Sequence, residues 1–392
     1  MNIYHTSSRI ILTCNKRLSP YLEQEVVALG FNPISVFSTG VELWGTVNDC
    51  IKLNLNLRCA SQVHYALKSF KVDSPDELYD ILIDYPWEEI ISPDGYISVT
   101  STVDHPSIRT PLFTNVKVKD AIADRMTRVS GKRPDSGPES DRMVIHLYWK
   151  DNDAEIFVDT SGETLAKHNY RKIPGKAPML EALASATIMA TKWDRKSPFI
   201  NPMCGSSTLA IEAAMIATNR VPGLFRENFS FMHFIGYDES VYKAELKRIR
   251  EQVTEVPGLL IVATDIREDA IDISKVNAGM AGVGHLINFG TGDFTLTNIP
   301  EGQNGVVFLN PEYGERLGEE RELERTYERI GDFLKQKCKG YLGYIFTGNM
   351  ELAKKIGLKA SRRIEFFNAK IDCRLLEYEL YAGTRRKEKE VS

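Results

Sequence analysis

The six cysteines of this 392-residue chain form no C-x-x-C pair and no His/Cys cluster at metal-ligand spacing. Cys14, Cys50, Cys59, Cys204, Cys338 and Cys373 therefore read as reduced cytosolic thiols, with neither a disulfide frame nor a zinc site, and no metal is expected. No apolar run approaches the length of a membrane span, and Met1 to Lys16 lacks a signal-peptide layout. The expectation is a soluble cytoplasmic protein with no membrane partner. A net charge of -4 offers no general attraction for nucleic acid, so any RNA contact must rest on a local basic face. The phosphate loop G-x-x-x-x-G-K-[ST] is missing, and Ser207 stands where the second glycine of a G-x-G-x-x-G dinucleotide fingerprint would be. That gap disfavours a dehydrogenase.

What is present is organised around Pro198 to Ala217, a short apolar strand, a tight turn of small residues and a helix. The turn, Asn201 to Thr208, carries the chemistry. Gly205 lets the backbone approach a ligand, Ser206, Ser207 and Thr208 are candidate helix caps, and the helix N-terminus suits an anionic group. A second buried strand, Val306 to Leu309, ends in Asn310-Pro311-Glu312-Tyr313, at the edge where open α/β sheets hold ligands. Between the two, Arg220 to Pro257 reads as an insertion with a charged helical half. It moves the next acidic landmark, Asp265, well beyond the roughly 20 residues of a dinucleotide fold. A carboxylate ending the strand Leu259 to Thr264 can accept both ribose hydroxyls of a nucleoside. Further on, Glu268 to Ala281 is a helix, Leu286 to Phe289 a strand, Leu323 to Lys337 a helix and Gly343 to Thr347 a strand. Arg362 to Asn368 and Cys373 to Tyr381 read as final antiparallel strands.

The N-terminal part has a different pattern. A strand at Arg9 to Cys14, a helix at Ser19 to Leu29, a strand pair across Val36 to Gly45, a helix at Val47 to Leu57 and a strand at Val63 to Val72 give β-α-β-β-α-β, a ferredoxin-like unit. Asp76 to Leu82 begins a helix that Trp87 ends, Tyr96 to Val103 is a strand, and Val116 to Val129 is a helix. Met143 to Trp149 and Ala154 to Asp159 form a hairpin, and Asp135 to Asp141 reads as a mobile loop. Between Arg109 and Asp135 stand seven Arg/Lys against three Asp. On the helix Lys117, Asp120, Asp124 and Arg128 fall at i, i+3, i+4 spacing, which allows pairing within it. The cations are either a solvated face or a phosphate-contacting one. His168 is taken as a surface histidine.

Together, Asn201-Pro-Met-Cys-Gly-Ser-Ser-Thr208 and Asn310-Pro-Glu-Tyr-Gly-Glu-Arg-Leu-Gly318 resemble the loops of the THUMP-domain guanine-N2 RNA methyltransferases. That family usually reads D-P-M-C-G-S-G-T and N-P-P-Y-G-E-R-L-G there. Leu57-Arg-Cys-Ala-Ser61, Val118 to Arg125, Gly131-Lys-Arg-Pro134 and Ser161 to Leu165 extend the resemblance along nearly the whole chain. It implies an α/β protein with a Rossmann-like methyltransferase domain behind an α+β ferredoxin-like and THUMP region. The expected bounds are 1–72, 73–165 and 166–384, with a disordered tail at 385–392. It implies S-adenosylmethionine as cofactor, held by Asn201, Pro202, Cys204, Gly205, Ser206, Thr208, Asp265 and Ile266. Asp293 would accept the adenine amino group, with Phe294 beside the ring.

Asn310 and the Pro311 carbonyl would accept the two hydrogens of an exocyclic amine, and Tyr313 would stack on the extruded base. Lys117, Lys119, Arg125, Lys132 and Arg133 are the RNA-contacting candidates. The implied substrate is ribosomal RNA of the large subunit, with transfer RNA second. The alternative is an RNA-binding protein of the same fold with impaired or lost catalysis. The departures are Asn201 for Asp, Ser207 for Gly and Glu312 for Pro. Glu312 either turns to solvent or pairs with Arg316, or binds the N1–H and N2–H edge of guanine, or weakens activity.

Overall fold

Ile10 and Leu12, both fully buried on one side of an alternating run, make the first strand, β1 (Ser8–Thr13). The computed structural model describes residues 2–106, 108, 110–173, 178–301, 304–314 and 320–381. They divide into one unit of Met1–His168 with Val221–Gln252, and a second of Asn169–Arg220 with Val253–Ser392. In the first unit β1 is followed by α1 (Ser19–Ala28), β2 (Pro33–Phe37), β3 (Gly40–Gly45), α2 (Val47–Asn56) and β4 (Gln62–Lys71). A capping box opens α2: the Asp49 amide donates to Thr46 Oγ1 at 3.2 Å and the Thr46 amide to Asp49 Oδ2 at 2.8 Å. The ferredoxin-like order read from the sequence is present.

After β4 come α3 (Pro75–Ile83), β5 (Tyr96–Asp104), α4 (Pro111–Ser130), β6 (Asp135–Ser136), β7 (Met143–Lys150) and β8 (Asp153–Asp159). All eight strands form one sheet, in the order β2-β3-β1-β4-β8-β7-β5-β6. The junction is the antiparallel pairing of β4 with β8, from His64 opposite Asp159 to Lys71 opposite Asp153. The ferredoxin-like sheet thus has no free edge where the next sheet begins.

Four expectations are corrected here. The helix of α3 ends at Ile83, and Trp87 starts a separate turn of 3-10 helix, its indole donating to the Leu82 carbonyl at 2.8 Å. The segment after Asp135 is not wholly loop, because β6 pairs with β5. Helix α4 begins at Pro111, whose fixed φ suits a first turn. His168 is buried at 1% exposure, with Nε2 at 2.9 Å from the Arg58 carbonyl, so it is a packing residue.

The second unit contains α5 (Glu181–Met189), β9 (Phe199–Pro202) and α6 (Thr208–Ala217). The chain then contributes α7 (Glu239–Glu251) to the first unit, where Asn56 Nδ2 donates to Glu245 Oε1 at 2.7 Å. It continues in the second unit with β10 (Ile261–Asp265), α8 (Glu268–Met280), β11 (Ile287–Thr291), β12 (Val306–Leu309) and α9 (Glu320–Lys337). The last elements are β13 (Leu342–Thr347), α10 (Met350–Lys355), β14 (Arg362–Asn368) and β15 (Ile371–Glu379). Helix α5 starts at Glu181, and residues 174–177 before it lie outside the described residues. So do the 385–392 tail and Arg316.

The seven strands order as β11-β10-β9-β12-β13-β15-β14. Strands β9 to β13 are parallel and β15 runs antiparallel to both neighbours. Val306 to Leu309 is buried throughout, as a central parallel strand covered on both faces must be. Tyr327, Ile330 and Leu334 of α9 place an apolar stripe against Val307, Leu309 and Ile345. Each such side chain contributes about 1.5–3 kcal/mol by burial. The chain runs outward from β9 through β10 to β11, then returns to β12 on the other side of β9. The switch point therefore lies between the carboxyl ends of β9 and β12. Among the described residues no helix is long and apolar enough to cross a membrane.

Candidate active site

Three backbone turns shape the loop after β9. Met203, Gly205 and Ser207 have φ of +56°, +54° and +57°, and alternate left-handed residues coil the chain back on itself. The Cys204 amide donates to the Thr264 carbonyl at 3.0 Å and the Ser207 amide to the Cys204 carbonyl at 2.8 Å, which ties the coil to β10. A Cβ at Gly205 would meet nothing within 4 Å, so this backbone borders open space. The serines do not cap α6, contrary to expectation: the N-cap residue, Ser207, makes no side-chain capping bond. Its hydroxyl instead donates to Ser274 Oγ on α8 at 2.8 Å. The N-terminal amides of α6 keep their dipole end for a ligand. Thr208 Oγ1 accepts from Arg171 Nη2 at 2.9 Å, and Arg171 also pairs with Glu181 at 3.5 Å. Burial pushes the Cys204 thiol up to about 12, so it is neutral and no nucleophile.

Asp265 ends β10 with both carboxylate oxygens engaged: Oδ2 accepts the Gly205 amide at 2.9 Å and Oδ1 the Arg267 amide at 3.0 Å. Each oxygen keeps a lone pair for a ribose hydroxyl. The next residue, Ile266, is 70% exposed, an apolar surface beside that carboxylate. After β11, Asp293 Oδ1 accepts from the Thr295 amide and hydroxyl, while Oδ2 accepts from Arg329 Nη2 at 2.7 Å. Burial pushes the Asp293 carboxyl up, but the bonds from Arg329 and Thr295 outweigh it and hold the group at about 2. One lone pair is left for an adenine amine. Phe294, at 6% exposure, packs edge-on to Phe333 with the Arg329 guanidinium over its ring.

On the other side of β9, Asn310 follows β12. Its Oδ1 is buried and has no hydrogen-bond partner among the described residues. The same holds for Asn201 Oδ1, whose Nδ2 donates to the Phe308 carbonyl at 2.8 Å and so links β9 to β12. Pro202 and Pro311 are buried, Ser206 is half-buried and Glu312 is exposed. The Tyr313 hydroxyl accepts from Asn368 Nδ2 at 2.8 Å. Asn201, Pro202, Cys204, Gly205, Ser206, Thr208, Asp265, Ile266, Asp293, Asn310, Pro311 and Tyr313 thus stand at the carboxyl edge of one sheet. Arg171, Ser274, Arg329 and Asn368 had no motif to announce them.

The basic residues of the first unit are organised otherwise. Lys117 does not pair within α4, as its spacing allowed, but with Asp76 on α3 at 2.6 Å. Arg125 pairs with Glu88 at 2.5 Å and Lys132 with Asp94 at 2.8 Å. Arg133 lies 3.6 Å from Asp120 and 3.8 Å from Asp124, and Lys119 lies 3.9 Å from Asp120. Each candidate cation already has an acidic partner.

A cofactor with a nucleoside, a cation and a carboxylate fits the second unit: acceptors for ribose and adenine, a helix N-terminus, open space at Gly205 and unmet buried oxygens. Residues 168–377 match the family described as RMKL-like, methyltransferase domain. Residues 9–64 match the RlmL ferredoxin-like domain and 72–159 the THUMP domain. The chain is similar to the ribosomal RNA large subunit methyltransferase K/L of Allochromatium vinosum, with 33% identity over 93% of this chain and 51% of that protein. It spans about half the length of the K/L relatives it matches. A Synechocystis protein provisionally named an RNA methyltransferase is 29% identical over 96% of this chain and 98% of its own length. Among solved structures, a possible methylase from Clostridium difficile 630 has a TM-score of 0.87 and 27% identity, covering 97% of this chain and 100% of that one. A predicted N6-adenine-specific DNA methylase from Listeria monocytogenes has a TM-score of 0.86 and 28% identity, covering 96% and 97%. With the switch-point geometry and a family match over more than half of its length, this chain belongs to the RMKL-like family of S-adenosylmethionine-dependent methyltransferases.

Proposed function

We propose that this protein methylates the exocyclic N2 of guanine in RNA, in the cytoplasm, with large-subunit ribosomal RNA as the preferred substrate and transfer RNA as the second. The observation that carries the reading is the buried Oδ1 of Asn310 at the switch point, which has no hydrogen-bond partner among the described residues. Leaving such an acceptor unmet costs about 1–3 kcal/mol, and an incoming amine hydrogen recovers that cost. Bound S-adenosylmethionine supplies a methyl group on a sulfonium, already activated for displacement. The loop after β9, Asp265, Ile266 and Asp293 would hold it.

An aromatic amine is a weak nucleophile because its lone pair is delocalised into the ring. Asn310 Oδ1 and the Pro311 carbonyl accept its two hydrogens, which turns the lone pair toward the methyl and stabilises the charge developing on nitrogen. The methylated amine is acidic and loses its proton readily, so no strong base is required of the chain. Tyr313 stacks on the extruded base. Glu312, exposed in place of the family's proline, supports the reading in which it turns to solvent and leaves the reacting gap open.

The THUMP match weighs for RNA over the DNA named for the Listeria structure. Similarity to the K/L proteins weighs for the ribosomal substrate. Purified protein, labelled S-adenosylmethionine and undermodified ribosomal and transfer RNA provide the test. N2-methylguanine in the RNA digest is expected, and cofactor binding without any transfer would sink the reading.

A further inference from the structure

Tyr313 is held by elements remote from its own loop. Asn368 is the last residue of β14 and faces Ile371, the first of β15, across a two-residue turn. Ala369, the first residue of that turn, has φ of +53°, a left-handed conformation that costs a non-glycine residue about 1–2 kcal/mol. A two-residue hairpin turn asks for this conformation at its first central position, and next to it Asn368 donates to the Tyr313 hydroxyl at 2.8 Å. Cys373 Sγ of the same hairpin lies 4.0 Å from that hydroxyl. Gly348, just after β13, backs the ring: a Cβ there would stand 3.1 Å from two Tyr313 ring carbons and 2.7 Å from Ile371 Cγ2. The phenol is therefore pinned at its oxygen and supported along one edge, while the residue stays half-exposed.

We propose that Asn368 is a positioning residue for base recognition: by anchoring the Tyr313 hydroxyl, the β14–β15 turn sets the ring plane on which the extruded guanine stacks. This rests on the guanine reading above. An unanchored tyrosine samples several rotamers and must be ordered each time a base enters, a cost that appears in the use of RNA and not in the use of the cofactor. Phenylalanine at 313 keeps the stacking face but loses the anchor, so it mimics loss of Asn368.

The test uses the full chain. Asn368→Ala, Tyr313→Phe and the double variant are compared for kcat, KM for RNA, affinity for S-adenosylmethionine and melting temperature. Asn368→Ala is expected to lower kcat/KM for RNA about tenfold with cofactor affinity and melting temperature unchanged. Tyr313→Phe should do the same, and the double variant should lose no more than either single one, because the two groups act as one. With 3-fluorotyrosine incorporated, the fluorine resonance that Tyr313→Phe removes should shift in Asn368→Ala, a readout independent of activity. Wild-type kcat/KM in Asn368→Ala, additive losses, or an unmoved resonance would overturn the anchor. A wild-type protein that binds cofactor and methylates no guanine would overturn the functional reading instead.

Discussion

The basic face of α4 and the carboxyl edge of β9 and β12 are both candidate binding regions, yet they are built in opposite ways. Lys117 and Arg125 on α4, and Lys132 and Arg133 just after it, are each satisfied by an acid of the same unit. At the switch point, Asn201 Oδ1 and Asn310 Oδ1 are buried with their acceptor capacity unmet among the described residues. The first arrangement folds without a ligand and offers RNA only what remains of paired charges, each worth little in water. The second retains a cost that a ligand removes. Unmet buried oxygens occur on α4 too, at Thr114 and Asn115, so those at Asn201 and Asn310 draw their meaning from standing at the sheet's carboxyl edge, while a basic stripe read by counting lysines overstates the charge available.

Breaking the switch point should have the largest effect. Asn310→Ala is expected to lower kcat about 10²–10³-fold, the usual loss for one preorganised transition-state partner, with cofactor affinity within a few fold. Wild-type kcat in that variant would make the orphan oxygen irrelevant. On the other side of the comparison, Lys132→Gln with Arg133→Gln should weaken RNA binding by about tenfold and flatten its salt dependence by up to about 1.5 in slope. Titrations at several salt concentrations measure this, and an unchanged slope would place the RNA contact elsewhere.

A smaller effect tests whether Asp293 is a satisfied group or an open one. Its carboxyl is held at about 2, below its usual 3.8, because the bonds from Arg329 and Thr295 outweigh the upward push of burial. A depressed acid stabilises the fold above its unfolded value of about 3.9 and loses that contribution as pH falls through the folded value. Arg329→Ala should therefore be less stable than the wild type above about pH 4, with the gap closing as pH falls from about 4 to 2, in melts taken between about pH 2 and 7. Coincident acid limbs would show the pair to be idle. The smallest change is expected for Ser207→Gly. Relief of the left-handed φ of +57° gains about 1–2 kcal/mol, and loss of the Ser274 hydrogen bond removes about 1, so stability should move by no more than about 1 kcal/mol. A denaturant melt decides it, and a large loss would mean the serine pair holds the loop.

Much of the fold was legible because local signals agreed with the tertiary outcome. The uninterrupted apolar run Val306 to Leu309 could be little but a central strand, and Asn201 to Thr208 announced a ligand turn by its small residues. The strand ends marked Asp265 and Asn310, resemblance supplied Asp293, and the sheet brings all three to one edge. Where the reading failed, the partner was remote. His168 looked exposed because nothing nearby shows that the Arg58 carbonyl awaits it. Ser207 looked like a cap, yet its backbone is left-handed and its hydroxyl is taken by Ser274.

By itself, then, the order of residues determined most of the strand and helix succession and the turns after β9 and β12, because periodicity and turn chemistry act over a few neighbours, and its resemblance to a family implied the cofactor class. Only the tertiary structure decided that two N-terminal sheets are one, that the α4 cations are spoken for, and that Asn368 reaches Tyr313. Those outcomes depend on which distant atoms meet, and a hydrogen bond or ion pair exists only where folding brings donor and acceptor within about 3 Å.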